Sequence, residues 1–220
     1  MTLVLLIIVI AIIGYFAANI YRHDNTTFYK ITGYSYLDVL TNKDVRTTFH
    51  LVNALNIAKG AHKILVNVQV PVNGDLQQID ALLIHESGIY VMKHKDMTGW
   101  INGREQDLQW MQLLHRDQSR LFENPIHDVK RLNYALQDQL PEVSDEAFNS
   151  LVVFSNACSF QQVELHSADI DVVKVSELKK WTGTLAGKRL TETEIETLYA
   201  AIEPMMNVKS SELKLKNSIA

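Results

Sequence analysis

The chain opens on a run from which polarity is almost absent. Residues 2–20, "TLVLLIIVIAIIGYFAANI", carry no charged side chain. At ~1.5 Å of helical rise per residue, about twenty such residues cross the ~30 Å hydrocarbon core of a bilayer. A cleaved secretory signal would set Lys or Arg ahead of a shorter apolar stretch. No basic residue precedes this run, so it reads as an uncleaved anchor over residues 1–22. Tyr15 and Tyr21 suit the membrane interfaces, and Arg22, His23 and Lys30 follow directly. The positive-inside rule then directs the remainder toward the cytoplasm. One pass through the cell membrane is expected.

Past the anchor the pattern changes register several times. Residues 23–43 mix polar and aromatic positions and predict a linker with at most a turn of helix. Val45, Phe49, Val52 and Leu55 recur at helical spacing, which predicts an amphipathic helix. "KILVNVQVPV" is rich in β-branched residues and predicts a strand. Asn73-Gly74-Asp75 is a hairpin signal, after which "QQIDALLIHE" and "GIYVMKHK" predict two further strands around a Ser-Gly turn. "GWING" suggests a turn or short hairpin, and "REQDLQWMQLLHRDQSR" shows no clear period. Asn124-Pro125 starts a helix with proline in its first turn, its apolar positions being Val129, Leu132, Tyr134 and Leu136. "SLVVFS" and "IDVVKV" predict short buried strands, and "SELKKW" opens a helix. Thr191 and Glu194 form a capping box for a last helix, which Pro204 ends. The order predicts one α/β domain with a mixed sheet over residues 44–203, followed by a polar tail over 204–220.

Composition narrows the function only a little. Apolar residues make up 47% and charged residues 21%, with a net charge of -4, so no strongly basic balance announces nucleic acid; a local patch stays open. The one cysteine, Cys158, excludes an intrachain disulfide and sits in an apolar run, where a small core residue is expected. There is no phosphate-binding Gly-Lys-Ser/Thr loop and no nucleophile motif. His85, His94 and His115 match no zinc spacing. Trp100, Trp110 and Trp181 offer rings for stacking bases, against the plainer reading as core. Lys93-His94-Lys95 and Lys130-Arg131 offer phosphate contacts, against the plainer reading as solvated faces.

One spacing carries chemistry. Asp80 lies in the second predicted strand, and Lys93 and Lys95 end the third. Residues two apart on a strand share a face, so the two lysines lie side by side. An aspartate followed about a dozen residues later by acid-x-Lys is the arrangement of metal-assisted phosphodiester hydrolysis. In it two carboxylates hold Mg²⁺ and the lysine serves the attacking water. Gln78 sits two residues before Asp80, on its face.

The run "ILVNVQVPVNGDLQQIDALLIHESGIYVMKHKDMTGWINGRE", with "NPI" some twenty residues on, resembles the NERD (nuclease-related) domain. That family is placed in the PD-(D/E)XK, restriction-endonuclease-like fold, and a membrane span ahead of it is a familiar bacterial layout. The resemblance implies a mixed sheet flanked by helices. It also implies roles for Asp80 as the metal-binding aspartate and Lys95 as the catalytic lysine. Where this chain departs from the family, the departures fall on the site. The family's metal-binding glutamate is replaced by Lys93. Its Gly-Glu pair in the first helix corresponds to Thr47-Thr48, and its glutamine after "NPI-x" corresponds to Asp128. Replacing -1 by +1 beside a dication turns attraction into repulsion, at ~4 kcal/mol per unit–unit term at ~4 Å and doubled for the dication. Lys93 can instead pair with Asp80 and fill the ion's place.

Three readings follow. The first is a degenerate nuclease that binds nucleic acid (DNA or RNA) or a protein partner at the cytoplasmic membrane face, with no cofactor. The second is an active Mg²⁺- or Mn²⁺-dependent nuclease using Asp80, Lys95 and a displaced carboxylate. Asp128 is the best candidate for that carboxylate, ahead of Glu86 and Asp96. The third is a structural protein-interaction domain.

Overall fold

The computed structural model describes residues 1–114 and 118–209; His115 and the tail beyond 209 lie outside the described residues. The chain divides into two compact units, Met1–Asn53 with Val208–Ala220, and Ala54–Asn207.

In the first unit, helix α1 (Thr2–Asp24) is long and apolar enough to cross a membrane. The stretch expected to be a linker carries two short helices, α2 (Thr27–Thr32) and α3 (Tyr36–Thr41). Their caps explain why such polar sequence is helical. Thr26 accepts the Tyr29 N–H at the start of α2, and Gly33, at φ 70°, ends it in the left-handed conformation. Ser35 and Asp38 form a reciprocal capping box on α3. Helix α4 (Lys43–Leu55) follows, with Val45, Leu51, Val52 and Leu55 buried.

The second unit is a mixed α/β fold with two mixed sheets. The first holds β1 (His62–Val72), β2 (Asp75–His85), β3 (Gly88–Lys95), β7 (Phe148–Phe154) and β9 (Ile170–Lys174) in the order β1-β2-β3-β7-β9. The first three strands form the expected antiparallel meander, and β3, β7 and β9 run parallel. Asn73 (φ 53°) and Gly74 (φ 91°) make the tight β1–β2 turn. Helix α5 (Pro125–Gln137) packs on β1, β2, β3 and β7, and α7 (Glu192–Ile202) packs on β1 and β2. The short α6 (Leu178–Thr182) packs on β9. This is the architecture expected of a restriction-endonuclease-like domain.

The second sheet was not foreseen. It runs β6-β5-β4-β8, from β4 (Gly99–Arg104), β5 (Gln109–Leu113), β6 (Ser119–Glu123) and β8 (Cys158–Glu164). "GWING" is therefore a strand. Gly103 leaves room for the Trp110 indole, since a Cβ there would lie 2.2 Å from its ring. Trp110 is fully buried and stacks on Phe154, 6.2 Å between centroids, which joins the two sheets. Tyr134, expected in the core, is 61% exposed because it falls off the buried stripe of α5, Val129-Leu132-Ala135-Leu136.

Candidate functional site

The site lies where β2 and β3 meet. Ala81 pairs with Met92 and Leu82 with Val91, so the register brings Asp80 opposite Lys93 one step further along. Burial of Ile79 and Ala81 on the other face turns Gln78 and Asp80 toward α5. Asp80 Oδ1 accepts hydrogen bonds from Lys93 Nζ at 3.0 Å and Gln78 Nε2 at 3.2 Å, and Oδ2 accepts the His94 backbone N–H at 2.8 Å. Lys93 Nζ also donates to the Gln78 carbonyl at 3.0 Å. The ammonium is thus held by two oxygens of β2.

Gln78 is itself braced. Its Nε2 donates to Asn67 Oδ1 at 3.2 Å and its Oε1 accepts from Gln69 Nε2 at 3.3 Å. Asn67 sits in β1 at φ 51°, in the left-handed region, while its neighbours Val66 and Val68 pair with Ala81 and Ile79. The Asn67 carbonyl accepts the N–H of Asn207 at 2.9 Å. Sequence reasoning missed Asn67. Its only signal is an asparagine, a residue that tolerates this conformation, set inside a β-branched run.

The second half of the site comes from α5, and Asn124 positions it. Asn124 Oδ1 caps the helix by accepting the Ile126 N–H, and its Nδ2 donates to the carbonyls of Arg104, Glu105 and Asp107. Pro125 occupies the first turn, and Ile126 is fully buried. One turn of helix then presents Asp128. Its Oδ2 accepts Lys95 Nζ at 2.7 Å and its Oδ1 accepts an Arg131 N–H at 2.9 Å. Burial pushes the Asp128 carboxyl up, but the Lys95 hydrogen bond and the charges of Lys95 and Arg131 outweigh it and leave it below its usual range. Lys130, on the far side of the helix, pairs with Glu105 at 2.9 Å. Glu105 also accepts the N–H groups of His166 and Ser167 and the Ser167 hydroxyl. Sequence reasoning missed this carboxylate, whose partners lie 25 residues away at Lys130 and 61 and 62 away at His166 and Ser167.

Each of the four carboxylate oxygens of Asp80 and Asp128 therefore has a donor from the protein. Together two carboxylates face three cations, Lys93, Lys95 and Arg131. Mg²⁺ needs unclaimed hard oxygens and tolerates no ammonium in its coordination shell. This donor set does not fit a divalent ion. A small cavity of about 230 Å³ opens beside it, lined by Gln77, Gln78, Lys93, Asp128, Arg131 and Leu132.

Thr47 and Thr48 are on α4, where Thr48 Oγ1 donates to the Asp44 carbonyl. His85 is buried against Ser87 and the Lys59 carbonyl. Trp110 and Trp181 are buried, whereas Trp100 is half-exposed on β4. Glu86 follows β2 at the end away from Asp80, and Asp96 follows β3.

The fold is that of a nuclease-like α/β domain. The chain belongs to the nuclease-related domain family, NERD, whose description residues 44–155 match, just over half of the chain. It is also similar to an uncharacterized protein of Bacillus anthracis, 32% identical over 147 residues. The match covers 64% of this chain and 66% of that relative, just under two thirds of its length. No solved structure matches.

Proposed function

We propose that this protein is a membrane-anchored NERD-domain protein of PD-(D/E)XK ancestry whose nuclease chemistry is silent and whose nuclease-like surface binds nucleic acid at the cytoplasmic face. The observation that carries the reading is the Lys93–Asp80 pair, in which an ammonium stands where the family resemblance expects a carboxylate. The excess of one cation over the two carboxylates supports phosphate binding rather than metal binding beside the small cavity. Exposed Trp100 supplies a ring that can stack on a base.

The test uses the full-length chain in detergent. A fragment cut after α1 would lose His23, which is buried among aromatic rings of the first unit. Plasmid and single-stranded DNA are incubated with the protein in Mg²⁺ and in Mn²⁺, beside an Asp80→Ala control. The expected result is no cleavage, with binding that weakens as salt rises, at a log–log slope of ~0.7–0.9 per phosphate contacted. Cleavage that disappears in the control would overturn the silent reading in favour of an active nuclease. A folded protein with no affinity at low salt would point to a protein-interaction domain instead.

A further inference from the structure

We propose that the short helix α3 lies in the headgroup layer of the membrane, with Leu37 and Leu40 set into the lipid. The inference rests on α1 being a membrane span. Its starting point is His23, in the last turn of α1 and only 3% exposed. Its Nε2 meets the Tyr34 carbonyl at 2.8 Å, so that nitrogen carries the proton. Its ring lies within 6 Å of those of Phe28, Tyr29, Tyr36 and Phe49. Thr26 Oγ1 closes the same end of α1 by donating to the His23 carbonyl. The chain that leaves the span is thus folded back onto its last turn.

Tyr36 is the first residue of α3, and its ring touches His23. The charge-free part of α1 ends at Tyr21, only about 3 Å of helical rise before His23. The depth at which α3 begins is therefore set by where the span leaves the hydrocarbon. Leu37 and Leu40 are three residues apart and share one helix face. They are 56% and 46% exposed, while Val39 between them is buried and Asp38 is folded onto Ser35. Exposed Ile20 and Tyr21 carry the apolar surface of the span up to the turn that holds His23. Four of the eight tyrosines, Tyr21, Tyr29, Tyr34 and Tyr36, fall in this stretch, as in the aromatic belts of membrane interfaces. Nearby Arg22, Lys30, Lys43 and Arg46 outnumber Asp24, Asp38 and Asp44, a balance suited to a headgroup layer.

The test places single cysteines at Ala11, Leu37, Leu40 and Glu192 in the full-length chain carrying Cys158→Ser. Each is spin-labelled, and the protein is reconstituted into phosphatidylcholine–phosphatidylglycerol liposomes. Accessibility to oxygen, which partitions into lipid, is compared with accessibility to a water-soluble nickel chelate. The expected result is a shallow lipid position for labels at 37 and 40, a deep one at 11 and an aqueous one at 192. Aqueous labels at 37 and 40 with a deep label at 11 would overturn the inference and leave the span intact. An aqueous label at 11 would overturn both. Labels at 37 and 40 shielded from both reagents would overturn it in favour of a second copy of the chain. If removing Cys158 unfolds the domain, the cysteine stays, and the unsubstituted chain labelled in parallel supplies its background.

Discussion

Lys95, at the end of β3, lies 2.7 Å from Asp128 in the first turn of α5. The pair joins the sheet to the helix that covers it, and it commits the one helical carboxylate that could otherwise have replaced the missing acid. Both side chains are about three-quarters shielded, so removing one partner leaves the other partly buried without its counter-ion. Asp128→Ala is expected to destabilise the domain by about 1–3 kcal/mol. The double variant Asp128→Leu with Lys95→Met should cost less than the two single changes added together. Urea unfolding followed by tryptophan fluorescence measures both. Strict additivity would mean the two side chains do not interact in solution.

Lys93 makes a reciprocal prediction. Its ammonium occupies the face of β3 between Asp80 and the Gln78 carbonyl. Lys93→Glu exchanges that cation for a carboxylate beside Asp80 and removes the charge most hostile to a dication. The unsubstituted protein is expected to show no calorimetric Mn²⁺ binding at the site. The variant should bind Mn²⁺, with an affinity that Asp80→Ala abolishes. A variant with no gain would show that charge at position 93 is not what keeps the metal out.

The pH response should centre on Glu105. Burial pushes its carboxyl up, but the Ser167 hydroxyl, the N–H groups of His166 and Ser167, and Lys130 outweigh this and hold it far below its usual range. A group whose folded pKa is depressed adds stability above its unfolded value of ~4.3, and that stability is lost as pH falls toward the folded value. The domain should therefore weaken as pH drops below about 4. Glu105→Gln should be less stable than the parent at neutral pH and lose less on acidification. Urea midpoints at pH 7, 4.5 and 3 would show the two curves converging; parallel curves would remove Glu105 as a contributor.

Much of this was legible because it is local. The β1–β2 turn, the capping box at Thr191, and the Asn-Pro start of α5 are written within four residues. The Asp80–Lys93 pair was open as one alternative once the family resemblance set Lys93 in the place of an acid, and the structure contains it. The second sheet was not legible. Its strands are five to seven residues long, and its β4–β8 pairing joins residues about sixty apart. Gly103 reads as a turn residue until the Trp110 ring is seen above it. The helices α2 and α3 were hidden for the opposite reason, since caps rather than apolar periodicity define them. Glu105 carries no sequence signal that separates it from surface polar residues, and Asn67 only that of an asparagine inside a β-branched run.

Asn67 yields the last prediction. It sits in the middle of β1 at φ 51°, and the turn of its backbone is what sends its carbonyl to Asn207 and its side chain to Gln78. For an ordinary L-residue the left-handed region costs roughly 1–2 kcal/mol, and asparagine tolerates it better than most. Asn67→Gly removes the backbone cost and the side-chain hydrogen bond together, so its stability should change by less than about 1 kcal/mol. Asn67→Val sets a β-branched residue at positive φ and loses the same bond, so it should cost about 2–3 kcal/mol. Both variants remove one bond to the Gln78 amide, which keeps its bonds to Asp80 and Gln69, so a change at position 78 should cost further stability in either. Urea midpoints for the two variants decide the matter: equal losses from glycine and valine would mean that β1 is regular at this position in solution.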